Sequence, residues 1–323
     1  MRMMRRDTVD LDRAGAAALR LAVGGLIAGC VGAWAALQAA DMSLKAEPAL
    51  VFTAVLAALA AAAWFYTVRR CEPQFALMTG AIGLMIGSAL CAGIIAHAGL
   101  RLQFALADPI FAQADRALGI DTPGLVLAVA HRSWLAVLLG AAYNSIFPGC
   151  FVTALWLGWQ CERGRLARFV TGFVLSVQVA ALVSVFVPAR GNIAFAGLEQ
   201  LSGHGLPPGS GTYFLAAFDR FRAGTDPLLD IWTLNGVVCF PSFHMVMALL
   251  VAAAFRGEPL LGPAIGGWCG LVAVSTIPNG GHYVIDVLAG AGLWAATMLL
   301  ARAPSARRQR RPQAPVSRSA AAI

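Results

Sequence analysis

The sequence predicts an all-α, polytopic membrane protein, folded as a helical bundle with about eight transmembrane helices. Two observations predict this fold class. The 323 residues are 59% hydrophobic and only 12% charged, with a mean hydropathy of +0.72, whereas soluble domains carry about 25% charged residues. The apolar residues also form long runs, and about 20 consecutive apolar residues can cross a bilayer as one helix.

Eight such runs follow one another along the chain. They cover residues 15–39, 48–68, 75–98, 134–159, 168–188, 236–255, 260–277 and 283–301. Each is expected to be helical, because backbone polar groups in lipid must be satisfied within the segment. The fourth run is long and contains Pro148, which predicts a kink or a tilt. Residues 1–14 are predicted to be a basic cytoplasmic lead, and residues 302–323 a disordered basic cytoplasmic tail.

The basic residues predict the orientation of these helices. With both termini in the cytoplasm, 17 of the 24 Arg and Lys residues fall on the inner side and 7 on the outer side, as the positive-inside rule requires. The seven outer residues are Lys45, Arg101, Arg116, Arg132, Arg190, Arg220 and Arg222. The net charge of +8 is then explained by anionic lipid and needs no nucleic-acid partner. The preference for arginine and alanine favours a GC-rich bacterium, and therefore an inner-membrane protein.

Two outer loops are long enough to cover the outer ends of the helices. The first has an amphipathic pattern and contains Asp108, Asp115 and Asp121, which are expected to cap helices or form loop salt bridges. The second contains a turn-rich stretch and then "FLAAFDRFRAG", which predicts a short amphipathic helix. The seven cysteines are scattered without a CxxC pair, so neither a disulfide framework nor a metal site is predicted.

Polar residues gather at the outer ends of two runs. Ser242 and His244 open the sixth run in "CFPSFH", and His282 and Asp286 open the eighth in "GGHYVIDVLAG". On a helix, residues four apart share a face, so Asp286 can orient one ring nitrogen of His282 and leave the other free as a nucleophile. His244 can then donate a proton to a leaving oxygen, since the pKa of an unperturbed imidazole is near neutrality.

The expected electrophile is a phosphoryl group. Two helix N-termini that converge on one point favour an anion, and Ser242 adds a hydroxyl donor. Attack by His282 on phosphorus gives a phosphohistidine. This chemistry needs neither a metal nor a cofactor.

These two groups of residues resemble the motifs of the type 2 phosphatidic acid phosphatase superfamily, P-S-x-H and S-R-x5-H-x3-D. The resemblance covers roughly residues 130–301. It implies a six-helix core within residues 71–301, preceded by two extra helices in residues 15–70. It also implies that His282 is the nucleophile, Asp286 its orienting partner and His244 the general acid, while Ser242 holds the phosphoryl group.

Three departures from the family pattern are visible. Ser275-Thr276 stands where the family has Ser-Arg, Phe243 replaces the glycine before the first histidine, and the K-x6-R-P motif is not found. The variant pattern looks like the branch that includes inositol phosphorylceramide synthase, whose members transfer a phosphoryl-linked head group between lipids. Hydrolysis of a lipid phosphate and head-group transfer therefore both stay open.

The missing motif arginine requires another cation for the phosphate. Arg222 is the first candidate and Arg190 the second, because arginine is the usual bidentate partner of phosphate. Tyr283 either contributes to substrate binding or anchors the membrane interface, and Tyr143 either contacts neighbouring helices or lines a pocket. The expected partners are the bilayer and a lipid phosphate or phospholipid, bound on the periplasmic face.

A non-catalytic lipid-binding or transport protein is the alternative. Such a protein is expected to have repeated halves with interrupted helices. No repeat is visible, and the polar residues are concentrated in the last three runs. The oligomeric state cannot be predicted from the sequence.

Overall fold

The computed structural model describes the backbone of residues 2–309 and the side chains of residues 15–301. Over this part of the chain the secondary structure is almost entirely helical, as predicted. The α-helices are α1 Arg2–Ala39, α2 Ala46–Val68, α3 Pro73–Leu100, α4 Asp108–Ala117, α5 Thr122–Ala130, α6 Ser133–Trp159, α7 Arg163–Phe186, α8 Asn192–Phe195, α9 Leu215–Arg222, α10 Phe243–Ala254, α11 Leu261–Gly280 and α12 Val284–Gln309. Two short 3₁₀ turns, Glu199–Leu201 and Ile231–Thr233, and two short strands, β1 Ser43–Leu44 and β2 Leu228–Leu229, complete the described part.

The terminal helices extend into the predicted tails. The backbone of α1 is helical from Arg2, within the predicted basic lead, and α12 continues over residues 302–309 of the predicted disordered tail. The rest of that tail, residues 310–323, lies outside the described residues.

Within the described residues, seven helices are long and apolar enough to cross a membrane: α1 from Gly15, α2, α3, α6, α7, α11, and α12 as far as Ala301. The predicted sixth span, residues 236–255, is the exception. Its helix α10 has only 12 residues, about 18 Å at 1.5 Å per residue, whereas the hydrocarbon core is about 30 Å thick. The cause is Pro241, which disfavours helical geometry at Phe240, so the chain approaches α10 without regular structure and the helix begins only at Phe243.

Helix α7 lies at the centre of the bundle. It packs against α1, α3, α6, α10 and α12, and most of its inward side chains are buried. Small residues let its neighbours come close, as is usual between membrane helices. At Gly172, for example, a Cβ would stand 2.7 Å from the side chain of Leu250 on α10.

The two N-terminal helices add to this core from one side. Helix α1 packs against α3, α7 and α12, while α2 packs mainly against α3. Their connection is joined to the second outer loop by parallel pairing of β1 with β2 and by the ion pair between Lys45 and Asp230, whose N–O distance is 3.0 Å. The hydrogen bond from Lys45 holds the pKa of the Asp230 carboxyl below its usual range.

The two loops predicted to lie on the outer side fold over one end of the bundle. The first contains the amphipathic α4 and the short α5, and the second contains α8 and α9. The predicted short amphipathic helix is α9, which packs against α3. Together with the turn between α11 and α12, these loops position the polar residues described next.

Candidate active site

His282 and Asp286 face each other across the start of α12. Helix α11 ends at Gly280, and Gly281 (φ +71°) adopts the left-handed conformation that reverses the chain. The His282 Nδ1 atom then lies 3.4 Å from Asp286 Oδ2, and both side chains are buried. His282 precedes the helix, so this i,i+4 contact spans a turn and not one helical face as predicted. The backbone N–H of Tyr283 donates to the same carboxylate oxygen at 2.9 Å, which fixes the carboxylate beside the ring.

The start of α10 lies against this pair. The backbone N–H of Ser242 donates to the carbonyl oxygen of Asp286 at 3.0 Å, and the ring centroids of His244 and His282 are 6.4 Å apart. His244 is held by stacking on Tyr143 of α6, with centroids 4.0 Å apart and an angle of 12° between the planes. The structure therefore brings the two predicted groups together at one end of the bundle.

Ser242 occupies the N-cap position of α10 without using its side chain as a cap. Its hydroxyl oxygen is buried and makes no hydrogen bond to any residue that the structure describes. Since serine at this position usually bonds a backbone N–H of the first turn, the hydroxyl is available as a donor to another group.

Two aspartates of α4 brace the site, a role that sequence reasoning missed. Asp108 accepts hydrogen bonds from the backbone N–H groups of Arg190 and Gly191, each at 2.9 Å, and from the Tyr283 hydroxyl at 3.0 Å. Its side chain is buried. It therefore ties the chain after α7 to the residue that follows His282. The available signal was the seven-residue spacing of Asp108 and Asp115, which places both on one face of α4.

Asp115 caps α12, which lies 169 residues further along the chain. Its carboxylate accepts from the backbone N–H groups of Val284 and Ile285 at 2.9 and 3.0 Å, and from the hydroxyl of Thr122. The sequence predicted a capping role for Asp115, but it could not predict that the capped helix is α12. This cap also corrects the expectation that two helix N-termini are free for an anion. The Asp115 carboxylate already occupies the N-terminus of α12, so of the two only the N-terminus of α10 remains.

The segment after α7 is fastened to the turn that carries His282. The backbone N–H of Asn192 donates to the Gly281 carbonyl oxygen at 2.7 Å, and its side-chain amide donates to the His282 carbonyl oxygen at 2.5 Å. The second outer loop adds a bond from the Gly211 N–H to the Asn279 carbonyl oxygen at 2.7 Å. The backbone around His282 is thus held from two sides.

Gly191 packs closely against Gly281 in this attachment, and Gly191→Ala is expected to destabilise the contact. Gly191 has φ +89° and ψ 164°, a region that is essentially restricted to glycine and costs other residues about 1–3 kcal/mol. An added Cβ would also stand 2.6 Å from the Gly281 carbonyl oxygen. We expect a lower thermal unfolding midpoint in detergent and a loss of activity.

Gly197→Ala is the matched control for that variant. Gly197 has a similar positive φ of +68°, but its added Cβ would meet nothing within 4 Å. It should show only the backbone cost and keep its activity. Equal effects of the two substitutions on activity would contradict the role given to the contact between Gly191 and Gly281.

The two arginines predicted to bind phosphate lie in the outer loops. Arg190 donates to Asp219 at 2.9 Å, while its Nε is buried without a hydrogen-bond partner in the described part of the chain. Arg222 ends α9, and its Nη1 is likewise buried without a partner. Arg190 directly precedes Gly191 and so lies near the turn that carries His282. The Ser275 hydroxyl, where the family has its Ser-Arg pair, donates within its own helix to Val272.

A cavity of about 660 Å³ adjoins the two histidines. Its polar side chains are Tyr143, Tyr213, Cys239, His244 and His282 around this end, together with Asn235. Most of the remaining wall is apolar and comes from α2, α3, α6, α7 and α10, including Phe52, Ile86, Leu90, Phe147, Phe151, Val177, Ala181 and Met247. The described lining does not include Ser242, Arg190, Arg222 or Tyr283. The cavity thus has the polarity of an amphiphile, with a polar end and a long apolar part.

Cys239 is one of the seven cysteines for which the sequence predicted no site, but it contacts the central pair. Its Sγ lies 3.1 Å from Asp286 Oδ2 and 3.9 Å from His282 Nδ1, and its side chain is buried. Within the described side chains these three residues are the one group of His, Cys, Asp or Glu with the spacing of a metal site. The sequence signal was weak: Cys239 simply precedes "FPSFH".

Comparison with known proteins identifies the family. Residues 110–300 match the family model described as the PAP2 superfamily. No curated protein and no solved structure matches the chain. The matched segment begins within α4, which carries the two bracing aspartates, and ends within α12, so it contains both histidines and Asp286. Because this segment is more than half of the 323 residues, the chain belongs to the PAP2 superfamily, a family of phosphatase-type enzymes.

Proposed function

We propose that this protein is a lipid phosphatase or phosphotransferase that works through a phosphohistidine on His282. The observation that carries the proposal is the placement of His244 and His282 at the polar end of an otherwise apolar cavity. A substrate with a phosphoryl group and a hydrocarbon chain fits this polarity. Membership of the PAP2 superfamily supports the same class of substrate.

In the proposed reaction, each bond that forms or breaks is assigned to a named residue. The Nδ1 atom of His282 faces Asp286, so Nε2 carries the lone pair that attacks phosphorus. The P–N bond forms as the P–O bond to the leaving group breaks, and His244 gives that oxygen a proton. An acceptor hydroxyl then attacks the phosphohistidine, the P–N bond breaks, and the acceptor proton returns to His244. Asp286 stabilises the positive charge on the His282 ring in both steps.

The phosphoryl oxygens need donors. Ser242 and the N-terminus of α10 are the nearest to His244 in the chain, and the free Ser242 hydroxyl supports this role. Of the two arginines, Arg190 is favoured over Arg222 because the residues after it bond Gly281 and His282. Tyr283 acts indirectly, since its hydroxyl is engaged by Asp108.

The acceptor distinguishes a phosphatase from a transferase. Water gives hydrolysis, whereas a lipid hydroxyl gives head-group transfer, as in the branch that includes inositol phosphorylceramide synthase. Phe243 and "GHYVIDVLAG" support that branch. The arginine distribution supports cytoplasmic termini and a site on the periplasmic face of the inner membrane.

Product analysis of the purified protein tests the proposal. Phosphatidic acid and an isoprenyl diphosphate are offered alone, and phosphatidylinositol is offered with ceramide or diacylglycerol. Free phosphate identifies a phosphatase, and a new phospholipid without free phosphate identifies a transferase. Binding of these lipids without turnover of any kind would contradict the proposal and favour the lipid-binding or transport alternative.

A further inference from the structure

We propose that Cys239, His282 and Asp286 bind a thiophilic divalent cation such as Zn²⁺, and that this ion inhibits the enzyme. The binding site stands on the geometry of these three residues alone. The inhibition rests on the function proposed above for His282.

The spacing of the three ligand atoms matches a face of a zinc tetrahedron. Zinc bonds are about 2.3 Å to sulfur, 2.0–2.1 Å to nitrogen and 2.0–2.2 Å to oxygen, so tetrahedral ligand atoms stand about 3.4–3.6 Å apart. The measured distances are 3.1 Å from Cys239 Sγ to Asp286 Oδ2, 3.4 Å from Asp286 Oδ2 to His282 Nδ1, and 3.9 Å from His282 Nδ1 to Cys239 Sγ. Small rotations of the side chains give all three bond lengths.

The chemistry of these ligands selects the class of cation. One thiolate, one imidazole and one carboxylate suit zinc and similar metals, whereas magnesium and calcium prefer oxygen ligands alone. The two negative ligands balance the two charges of the ion. The occupied site therefore carries no net charge when Cys239 is bound as the thiolate, as burial requires.

Two further observations indicate an accessible and unsatisfied site. The Asp286 side chain is fully buried, and its Oδ1 atom has no hydrogen-bond partner among the described residues. Cys239 and His282 line the 660 Å³ cavity, which provides an entry path. The fourth position of the metal is then open to water or to an oxygen of a phosphoryl group.

Metal binding removes the nucleophile by releasing one proton and shifting another on the His282 ring. Cys239 releases its thiol proton to solvent, and the cation takes the Nδ1 lone pair of His282. The remaining ring proton of neutral His282 must then lie on Nε2. Nε2 has no lone pair in this tautomer and cannot attack phosphorus, and Asp286 Oδ2 is bound to the ion.

Cobalt provides a test that does not depend on turnover. The full chain in detergent is titrated with Co²⁺, whose bond to a thiolate has a characteristic absorption band, and Zn²⁺ is then added to displace it. The wild type is expected to show the band, and Cys239→Ser to lose it with at least about 100-fold weaker binding, beyond the 10–100-fold typical of residues that only support a ligand. Cys269→Ser, a substitution at another buried cysteine, should keep the band. A band that survives Cys239→Ser, or no band in the wild type, overturns the proposed site.

Activity assays test the inhibition separately. Zn²⁺ should lower wild-type turnover reversibly, with recovery after EDTA, whereas the turnover that remains in Cys239→Ser should resist the same Zn²⁺ concentrations. Unchanged wild-type turnover at saturating cobalt or zinc would refute the tautomer mechanism even if the band is present. If no lipid phosphate is turned over at all, the proposed function fails, and the cobalt spectrum still decides the metal site.

Discussion

Replacing His282 by alanine is expected to lower turnover by about 10⁴–10⁶-fold, the range found when a covalent nucleophile or its base is removed. The reason is that no other histidine in the described part of the chain contacts Asp286, and that His282 lines the cavity. The substitution should leave the fold intact, because the hydrogen bonds that hold this turn are made by the backbone of Gly281 and His282.

Trapping of the proposed phosphohistidine tests the role of His282 directly. The protein is mixed with a lipid labelled in the transferred phosphoryl group and denatured in alkali, which preserves P–N bonds. The wild type should carry label and His282→Ala should not. His131→Ala is the control, because His131 is exposed at the end of α5, and it should keep both label and turnover. Label on His282→Ala would mean that another residue is the nucleophile.

Asp286→Asn should lower kcat by about 10⁴-fold with little change in KM, because an amide in place of the orienting carboxylate favours the wrong histidine tautomer. In this site the carboxylate oxygen Oδ2 faces His282 Nδ1 and accepts from the Tyr283 N–H and from Cys239. An asparagine can keep the backbone hydrogen bond through its carbonyl oxygen, so the turn should survive. It cannot balance the positive charge that forms on the ring.

Steady-state kinetics with a stability check tests this prediction. The thermal unfolding midpoint of Asp286→Asn should stay near that of the wild type while kcat falls. Asp121→Asn is the matched control, since Asp121 is exposed and only caps α5, accepting from the Gly124 N–H at 3.0 Å. If Asp286→Asn keeps a tenth or more of wild-type kcat, Asp286 has no orienting role.

The sequence predicted the membrane helices well because their signal is local. Continuous apolar runs mark α1–α3, α6, α7, α11 and α12, and the structure confirms helices long enough to span at these places. The prediction of a spanning helix was wrong for the sixth run, because hydrophobic composition alone does not show that the helix after Pro241 begins only at Phe243. Hydropathy measures solubility in lipid, whereas the start of a helix depends on backbone geometry.

The candidate site was predictable where its residues are close in sequence. His282 and Asp286 are four residues apart, and His244 is marked by the adjacent Pro241 and Ser242. Asp108, Asp115 and Cys239 were not assigned to the site, because their roles depend on contacts between distant segments. Asp115, for example, bonds backbone groups 169 and 170 residues away, and no local pattern reports such a pairing.

This long-range bracing has a consequence for how the protein is made. A ribosome that adds about 5–20 residues per second needs roughly 8–34 s to travel the 169 residues from Asp115 to Val284. During that interval Asp108 and Asp115 lack the N–H and hydroxyl donors of residues 283–285, because those residues have not yet been synthesised. The proposed catalytic centre can therefore form only after α12 has been made, and we expect a chain that stops before α12 to be inactive, so that activity would report the completed fold.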